Sequence, residues 1–365
     1  MADLVVAGAG MAGLCAAAEA RARGADVLLL EKEPRPGGSM LLSSGVIWRH
    51  REWRDFRTES PGGDEPLQRL VHDRLDDGLA WLESLGVAPT ERGTGNERTV
   101  GARFDTAALT AALERAAGGA RCGEALSELP SDGTPVVLAT GGFAASRELV
   151  RRWITPQADA LLVRAAPGCT GDGLRLGLAA GAQLSGGIDE FYGRNMPAPP
   201  ARVEPCDYVA LAQVYARHAT VCDLDGVVYA ARTWSEIDVV QWTARRRAAR
   251  ALYRVEPAAL GARVRERSVA EVVAAAEQAG AEVRHERDGA VVVPVRAAIT
   301  TTLGGLRVDA HAEAAPGVWA AGADAGGIAT GGYASGLAAA LVLGRIAAAA
   351  ALGGRPATPA LATRP

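Results

Sequence analysis

Three glycines and one acid near the N-terminus have types and spacing that could do binding chemistry. Gly8, Gly10 and Gly13 fall in the run Gly8-Ala9-Gly10-Met11-Ala12-Gly13, and Glu31 follows eighteen residues after the last of them. In such a run the first glycine allows a tight reversal and the second lets backbone approach a pyrophosphate. The third lets a helix pack closely on a strand. Met11 and Ala12 lead toward that helix, whose free N–H groups and positive dipole end favour an anion. Glu31 stands where a carboxylate accepts hydrogen bonds from ribose hydroxyls, with Lys32 beside it. A dinucleotide is the ligand this pattern fits.

The elements needed to hold these residues are readable around them. Leu4–Ala7 is a short buried strand, Leu14–Arg23 an alanine-rich helix closed by Gly24, and Asp26–Leu30 a second strand ending at Glu31. Together they make a βαβ unit of a parallel sheet. Beyond it, Glu33-Pro34-Arg35-Pro36-Gly37-Gly38-Ser39 and Leu41-Leu42-Ser43-Ser44-Gly45 supply backbone and hydroxyls to run along a cofactor. Residues 67–85 read as an amphipathic helix and Asp105–Ala117 as another. Pro135–Phe143 is a buried strand entering a turn at Ala139, Thr140 and Gly141. Cys169-Thr170-Gly171-Asp172-Gly173 precedes a helix ending near Gly181, with Asp172 suited to cap it. Gly317–Asp324 is a strand with a glycine exit at Gly322, and Gly331-Gly332-Tyr333-Ala334-Ser335-Gly336 leads into a final helix from Leu337 to about Leu352.

From about Gln183 to Pro294 the character changes: glycines thin out, and aromatics and arginines increase. Arg245–Arg254 and Val269–Gly280 look helical there. The 365 residues therefore divide as 1–182 and 296–353 for one interrupted domain, 183–295 for an inserted smaller one, and 354–365 for a tail. With 39 basic against 42 acidic residues the chain lacks the basic footprint of a nucleic-acid binder. Five cysteines without a Cys-x-x-Cys spacing argue against a disulfide framework and a thiolate metal site. The stretch 336–352 is interrupted by Gly344 and Arg345, and no secretory leader is visible. A cytoplasmic protein with no metal and no membrane segment is the expectation.

The blocks Val6–Gly13, Glu31–Gly45, Val137–Phe143, Thr170–Gly173, Thr301–Val308 and Gly317–Ala347 occur in the order found in a known family. The chain resembles the FAD-dependent fumarate reductase and succinate dehydrogenase flavoprotein superfamily, which includes 3-ketosteroid Δ1-dehydrogenases and tricarballylate dehydrogenase. The resemblance implies an α/β fold: a Rossmann-like FAD-binding domain of the glutathione-reductase type carrying an inserted α+β cap. It also implies that Asp324 binds a ribitol hydroxyl of FAD. The N–H groups of Ser335, Gly336 and Leu337 would face the flavin N1 and C2 carbonyl, where the helix dipole stabilises negative charge on a reduced flavin. No histidine lies in Gly37–Gly45, where some relatives attach FAD covalently, so non-covalent FAD is expected.

Over residues 183–295 the resemblance fades to an echo at Asp225-Gly226-Val227-Val228-Tyr229. The family's dicarboxylate-handling residues are missing: Thr301, Leu211, Ala212 and Glu236 stand in their places. That argues against a small dicarboxylate substrate. Tyr333 resembles the tyrosine that polarises the ketone in ketosteroid dehydrogenases; covering the flavin edge is its structural alternative. Glu236 falls near the position of a catalytic tyrosine or arginine and could serve as a base, with Tyr192, Arg194, Asp238 and Arg232 as further candidates. The implied activity is dehydrogenation of a C–C bond beside a carbonyl in a largely apolar small molecule. An oxidase or oxygenase acting on a C–N or C–O bond is an alternative. So is an idle FAD-binding accessory protein.

Overall fold

The computed structural model describes residues 2–231 and 236–353. A six-stranded sheet forms its larger core, in the spatial order Glu313–Ala315, Val318–Ala320, Val136–Leu138, Leu4–Ala7, Val27–Glu31, Arg121–Cys122. All neighbours run parallel except the first two strands. Leu4, Val6 and Val137 are fully buried, as expected of a parallel sheet covered on both faces.

The helix Met11–Ala22 begins three residues before the expected start at Leu14, so that Gly13 lies inside it. A Cβ on Gly13 would meet the Gly8 carbonyl oxygen at 1.8 Å, and one on Gly8 would meet that of Ala139 at 2.3 Å. The final helix, Gly336–Ala351, crosses the first where Gly344 leaves 2.4 Å between a virtual Cβ and the Ala12 carbonyl oxygen. Small residues thus bring two helix N-termini to one end of the sheet.

A second sheet is organised by the long strand Val291–Thr302. Arg250–Val255, Arg284–His285 and Phe191–Pro197 join it antiparallel, and Leu162–Val163 joins it parallel. That strand straddles positions 295 and 296. The expected helix at Arg245–Arg254 is not formed: Ala248 and Ala249 take positive φ, and Arg250–Val255 is a strand. Its alternation buries Ala251, Tyr253 and Val255 against Val291–Arg296, and this burial outweighs the local helix preference of an Ala/Arg run. Val269–Gln278 is helical, capped by Ser268 and Glu271. No described helix is long and apolar enough to cross a membrane.

Candidate functional site

One continuous cavity of about 1480 Å³ runs from the glycine turn at the sheet end to the face of the second sheet. Single-ligand pockets usually hold roughly 300–1,000 Å³, so this one has room for a large cofactor and a second molecule. Among the described residues, no cluster of His, Cys, Asp and Glu could hold a metal ion.

The cofactor end is built mainly of backbone. Gly8, Gly10, Met11 and Ala12 line it, and a Cβ direction from Gly10 meets open space, leaving its main chain accessible. Gly38 closes the other side, its Cβ direction 3.5 Å from the Gly10 Cα. Glu31 is buried and accepts from the N–H groups of Ala9 (2.7 Å) and Glu33 (2.8 Å), retaining lone pairs toward the cavity it lines. Ser39, Ser44, Ala139, Thr140, Gly141 and Gly322 line the same stretch. At its far end Ser335 caps the final helix by accepting from Ala338 N, while Gly336 and Leu337 face the cavity. Two helix N-termini, the accessible main chain of Gly10 and Gly38, and an acid at the second strand end fit FAD.

Three of the residues expected at the cofactor lie outside the cavity lining, and the capping expected of a fourth, Asp172, is not made. Gly13 and Gly45 do not line the cavity; Gly13 serves helix packing, and a Cβ on Gly45 would meet the Phe104 carbonyl oxygen at 2.0 Å. Asp324 is 1 % exposed and also lies outside the lining. Its carboxylate accepts from Thr140 N, from Gly142 N at 3.0 Å and from Thr140 Oγ1 at 3.1 Å, so it clasps two strand exits together. Burial nevertheless pushes its pKa up. Ala323 takes the place in the wall. Asp172 lines the cavity but is the first helical residue, after Gly171, and makes no cap; its carboxylate pairs with Lys32 Nζ at 2.7 Å. Lys32 is held further by Thr170 Oγ1 at 2.6 Å.

The opposite end is built of side chains. Tyr192 pairs in register with Thr301 and Arg194 with Ala298, so both point to one face of the second sheet. Asn195, on the other face, is buried and donates to Thr243 Oγ1 and Tyr253 Oη, both at 2.9 Å, which fixes the strand between them. Tyr333, on the loop before the final helix, stacks on Tyr192 with ring centroids 4.0 Å apart and planes 16° from parallel. Trp48 meets Tyr333 edge-on at 5.8 Å, and the buried His50 ring stacks on Phe56 behind it.

Charge is distributed unevenly over this end. Enclosure in the wall opposes ionisation of Tyr192, but the guanidiniums of Arg194, Arg265 and Arg164 outweigh it and hold the phenol below the ordinary tyrosine value. Tyr333 is pushed the other way, by burial and by the neighbouring Tyr192 phenol. Arg164 is 6 % exposed and lies over the Tyr208 ring at 4.2 Å. Burial pushes the His50 imidazole down to about 4.

Glu236 lines the cavity too, at the start of the helix Ile237–Ala244, with a positive φ of 59°. Its Oε1 accepts from Arg217 N at 3.2 Å and faces Arg217 Nε at 3.6 Å, so the carboxylate expected to serve as a base is committed to an ion pair. Asp238 accepts from the Tyr229 hydroxyl and lies outside the lining. Arg232 lies outside the described residues. The three catalytic candidates Tyr192, Tyr333 and Glu236 thus share one cavity. Arg164 and Arg265 were not legible as site residues, because single arginines among many carry no signal in the sequence.

The sequence pattern of the FAD binding domain family matches residues 3–128 and 127–337. "Fumarate reductase (cytochrome)" of Shewanella frigidimarina is 29 % identical over 231 residues, covering 50 % of this chain and 40 % of that protein. "Vinyl phenol reductase" of Lactiplantibacillus plantarum is 26 % identical over 251 residues, covering 54 % and 49 %. The chain therefore spans less than half the length of these relatives. In structure it is similar to the open conformation of a flavocytochrome c3 fumarate reductase, with TM-score 0.69, 19 % identity and coverage of 96 % and 78 %. It is also similar to 3-ketosteroid-Δ4-(5α)-dehydrogenase from Rhodococcus jostii RHA1, with TM-score 0.67, 20 % identity and 96 % of both chains covered. At these identities the likeness establishes the fold.

Proposed function

Because the chain belongs to the FAD binding domain family, we propose that it is an FAD-dependent oxidoreductase acting on a CH–CH group beside an electron-withdrawing carbonyl. The observation that carries this reading is the Tyr192–Tyr333 stack, 4.0 Å between centroids, standing among guanidiniums in the cavity that continues from the cofactor cradle. When bound, FAD supplies the acceptor or donor of the hydride.

Tyr192 is the proton carrier. Its depressed phenol pKa makes it a base for the carbon next to the carbonyl, and in the reverse direction it returns that proton. Tyr333 stays protonated and donates a hydrogen bond to the carbonyl oxygen, where negative charge gathers as the proton leaves. Glu236, held by Arg217, neutralises part of the surrounding positive charge. The second sheet, with the elements between residues 183 and 295, forms the cap that excludes water from the reacting carbons. The guanidiniums beside the tyrosines amend the expectation of a largely apolar substrate: a polar end must face them.

The relatives, a fumarate reductase, a vinyl phenol reductase and a ketosteroid dehydrogenase, support a reductase or dehydrogenase of C–C bonds. Anaerobic photometry of the FAD-loaded protein tests the reading. Saturated carbonyl compounds should bleach the flavin band, or their unsaturated counterparts should restore it after chemical reduction. A broad series of both kinds giving neither change contradicts the proposal.

A further inference from the structure

Arg250 and Arg296 stand directly opposite each other where Arg250–Val255 pairs antiparallel with Val291–Thr302. Opposed residues of such a pair share one face, their Cβ atoms roughly 4.5–5.5 Å apart, and like charges there destabilise the sheet. Both side chains are partly buried, and among the described residues neither makes a hydrogen bond or an ion pair. The Nε of Arg296 is shut off from solvent, so its guanidinium is seated against the strand instead of extending into water as a surface arginine does.

A third arginine reaches the same place from a distant part of the chain. Arg147 opens the helix Arg147–Trp153, and its Nη1 donates to the carbonyls of Ala158 and, at 3.1 Å, Leu161. Leu161 leads into Leu162–Val163, which pairs with Ala298 and Ile299 just beyond Arg296. Enclosure, Arg250 and Arg147 together push the Arg296 pKa down, and no described acid acts against them. The acids of adjoining segments are taken: Asp223 faces Arg246 at 3.8 Å, Asp225 pairs with Arg247 at 2.9 Å, and Asp159 with Arg151 at 2.6 Å. None of the three arginines lines the cavity that holds the tyrosines.

We propose that Arg147, Arg250 and Arg296 form a second ligand site, outside the catalytic cavity, for the phosphoryl group of a small phosphorylated molecule. Three cations gathered without an acid repel one another, and an anion between them offsets that repulsion. A single carboxylate is filled by one guanidinium fork. A phosphoryl group carries up to about two negative charges and three acceptor oxygens, enough to meet all three side chains. The site joins a helix before residue 183 to strands on either side of residue 295, and it does not depend on the CH–CH chemistry proposed above.

The test uses the FAD-loaded protein, so that the cofactor's own phosphate positions are filled, in physiological chloride, where diffuse surface attraction is screened. Inorganic phosphate and glycerol 3-phosphate are the probes, with acetate for comparison. Calorimetric titration should show both phosphates binding the parent more tightly than acetate. Affinity should fall about tenfold to a hundredfold in Arg250→Gln and in Arg296→Gln, the loss expected for a charged hydrogen-bonding partner. Arg194→Gln, altered in the catalytic cavity, should bind both as the parent does. Thermal unfolding gives a second readout: phosphate should raise the Tm of the parent, as any ligand of the folded state does. The two glutamine variants, relieved of the like-charge pair, should start from a Tm no lower than the parent's and gain little from phosphate. No binding to the parent, binding unchanged in both glutamine variants, or binding lost in Arg194→Gln overturns the proposal. Acetate binding as tightly as phosphate, or a Tm lowered in both glutamine variants without phosphate, overturns it as well.

Discussion

The two ends of the cavity are built on opposite principles. At the cofactor end the work is done by main chain: Gly8 lets two strand ends pack closely, Gly10 and Gly38 leave backbone accessible, and the helices Met11–Ala22 and Gly336–Ala351 present N–H groups. At the other end it is done by side chains from distant segments, with Tyr192 from one strand, Tyr333 from a loop, and Arg265 from a hairpin turn. A backbone site constrains every residue that touches it, so its pattern stays readable. A side-chain site needs only a few atoms to converge, and almost any local sequence can deliver them.

If the cofactor end depends on absent side chains, adding one should have the largest effect. Gly13→Val pushes two methyl groups into a space where even a Cβ would lie 1.8 Å from the Gly8 carbonyl oxygen. We expect purified protein without FAD, read from the ratio of flavin to protein absorbance. A yellow variant of full stability would break the distinction between the two ends.

At the other end, substitution should leave the cofactor in place and remove chemistry. Tyr192→Phe should lower the rate of flavin reduction roughly 10²–10⁴-fold, the usual worth of a positioned acid or base. Tyr333→Phe removes the carbonyl donor and should cost about 10²–10³-fold in kcat. Normal turnover of Tyr333→Phe would reduce that ring to a cover over the flavin edge.

The charge around Tyr192 sharpens the comparison through pH. A base must be deprotonated, so oxidation of substrate should rise with pH through the Tyr192 pKa, which the arginines hold below the ordinary phenol value of 10.0. Arg194→Gln removes one of those charges and should move the limb to higher pH. A limb that does not move would dissociate Arg194 from the titrating group.

Smaller effects belong to His50, buried behind Trp48. Its pKa is lowered from 6.5 to about 4 in the folded protein, so the unfolded chain takes up the proton first. Its contribution is complete above pH 6.5 and is lost progressively as pH falls toward 4. His50→Phe should flatten the acid side of the Tm profile by a few degrees.

Legibility in the sequence follows the same division. The turn at Gly8–Gly13, the acid at Glu31, the strand at Val136–Leu138 and the helix after Ser335 were all readable, because glycine spacing and apolar runs record backbone geometry. Asp324 is harder to read, since an acid after a strand exit is as suited to clasping the N–H groups of Thr140 and Gly142 as to meeting a ligand. Asp172 has the type and place of a helix cap, but its carboxylate is drawn to Lys32 from across the chain. Arg250–Val255 has the composition of a helix, and only the partner strand reveals its alternation as the stronger signal. Arg164 and Arg265 become visible only when their charges are seen to act on the Tyr192 phenol.

The central claim is that backbone holds the cofactor while Tyr192 and Tyr333 handle the proton and the carbonyl. It is tested most directly by single-turnover, anaerobic flavin reduction in the parent and in Tyr192→Phe, with matched FAD content and one reacting substrate. The account predicts a full flavin band in both proteins and a rate at least about a hundredfold lower in the variant. Equal rates at equal FAD content would contradict it.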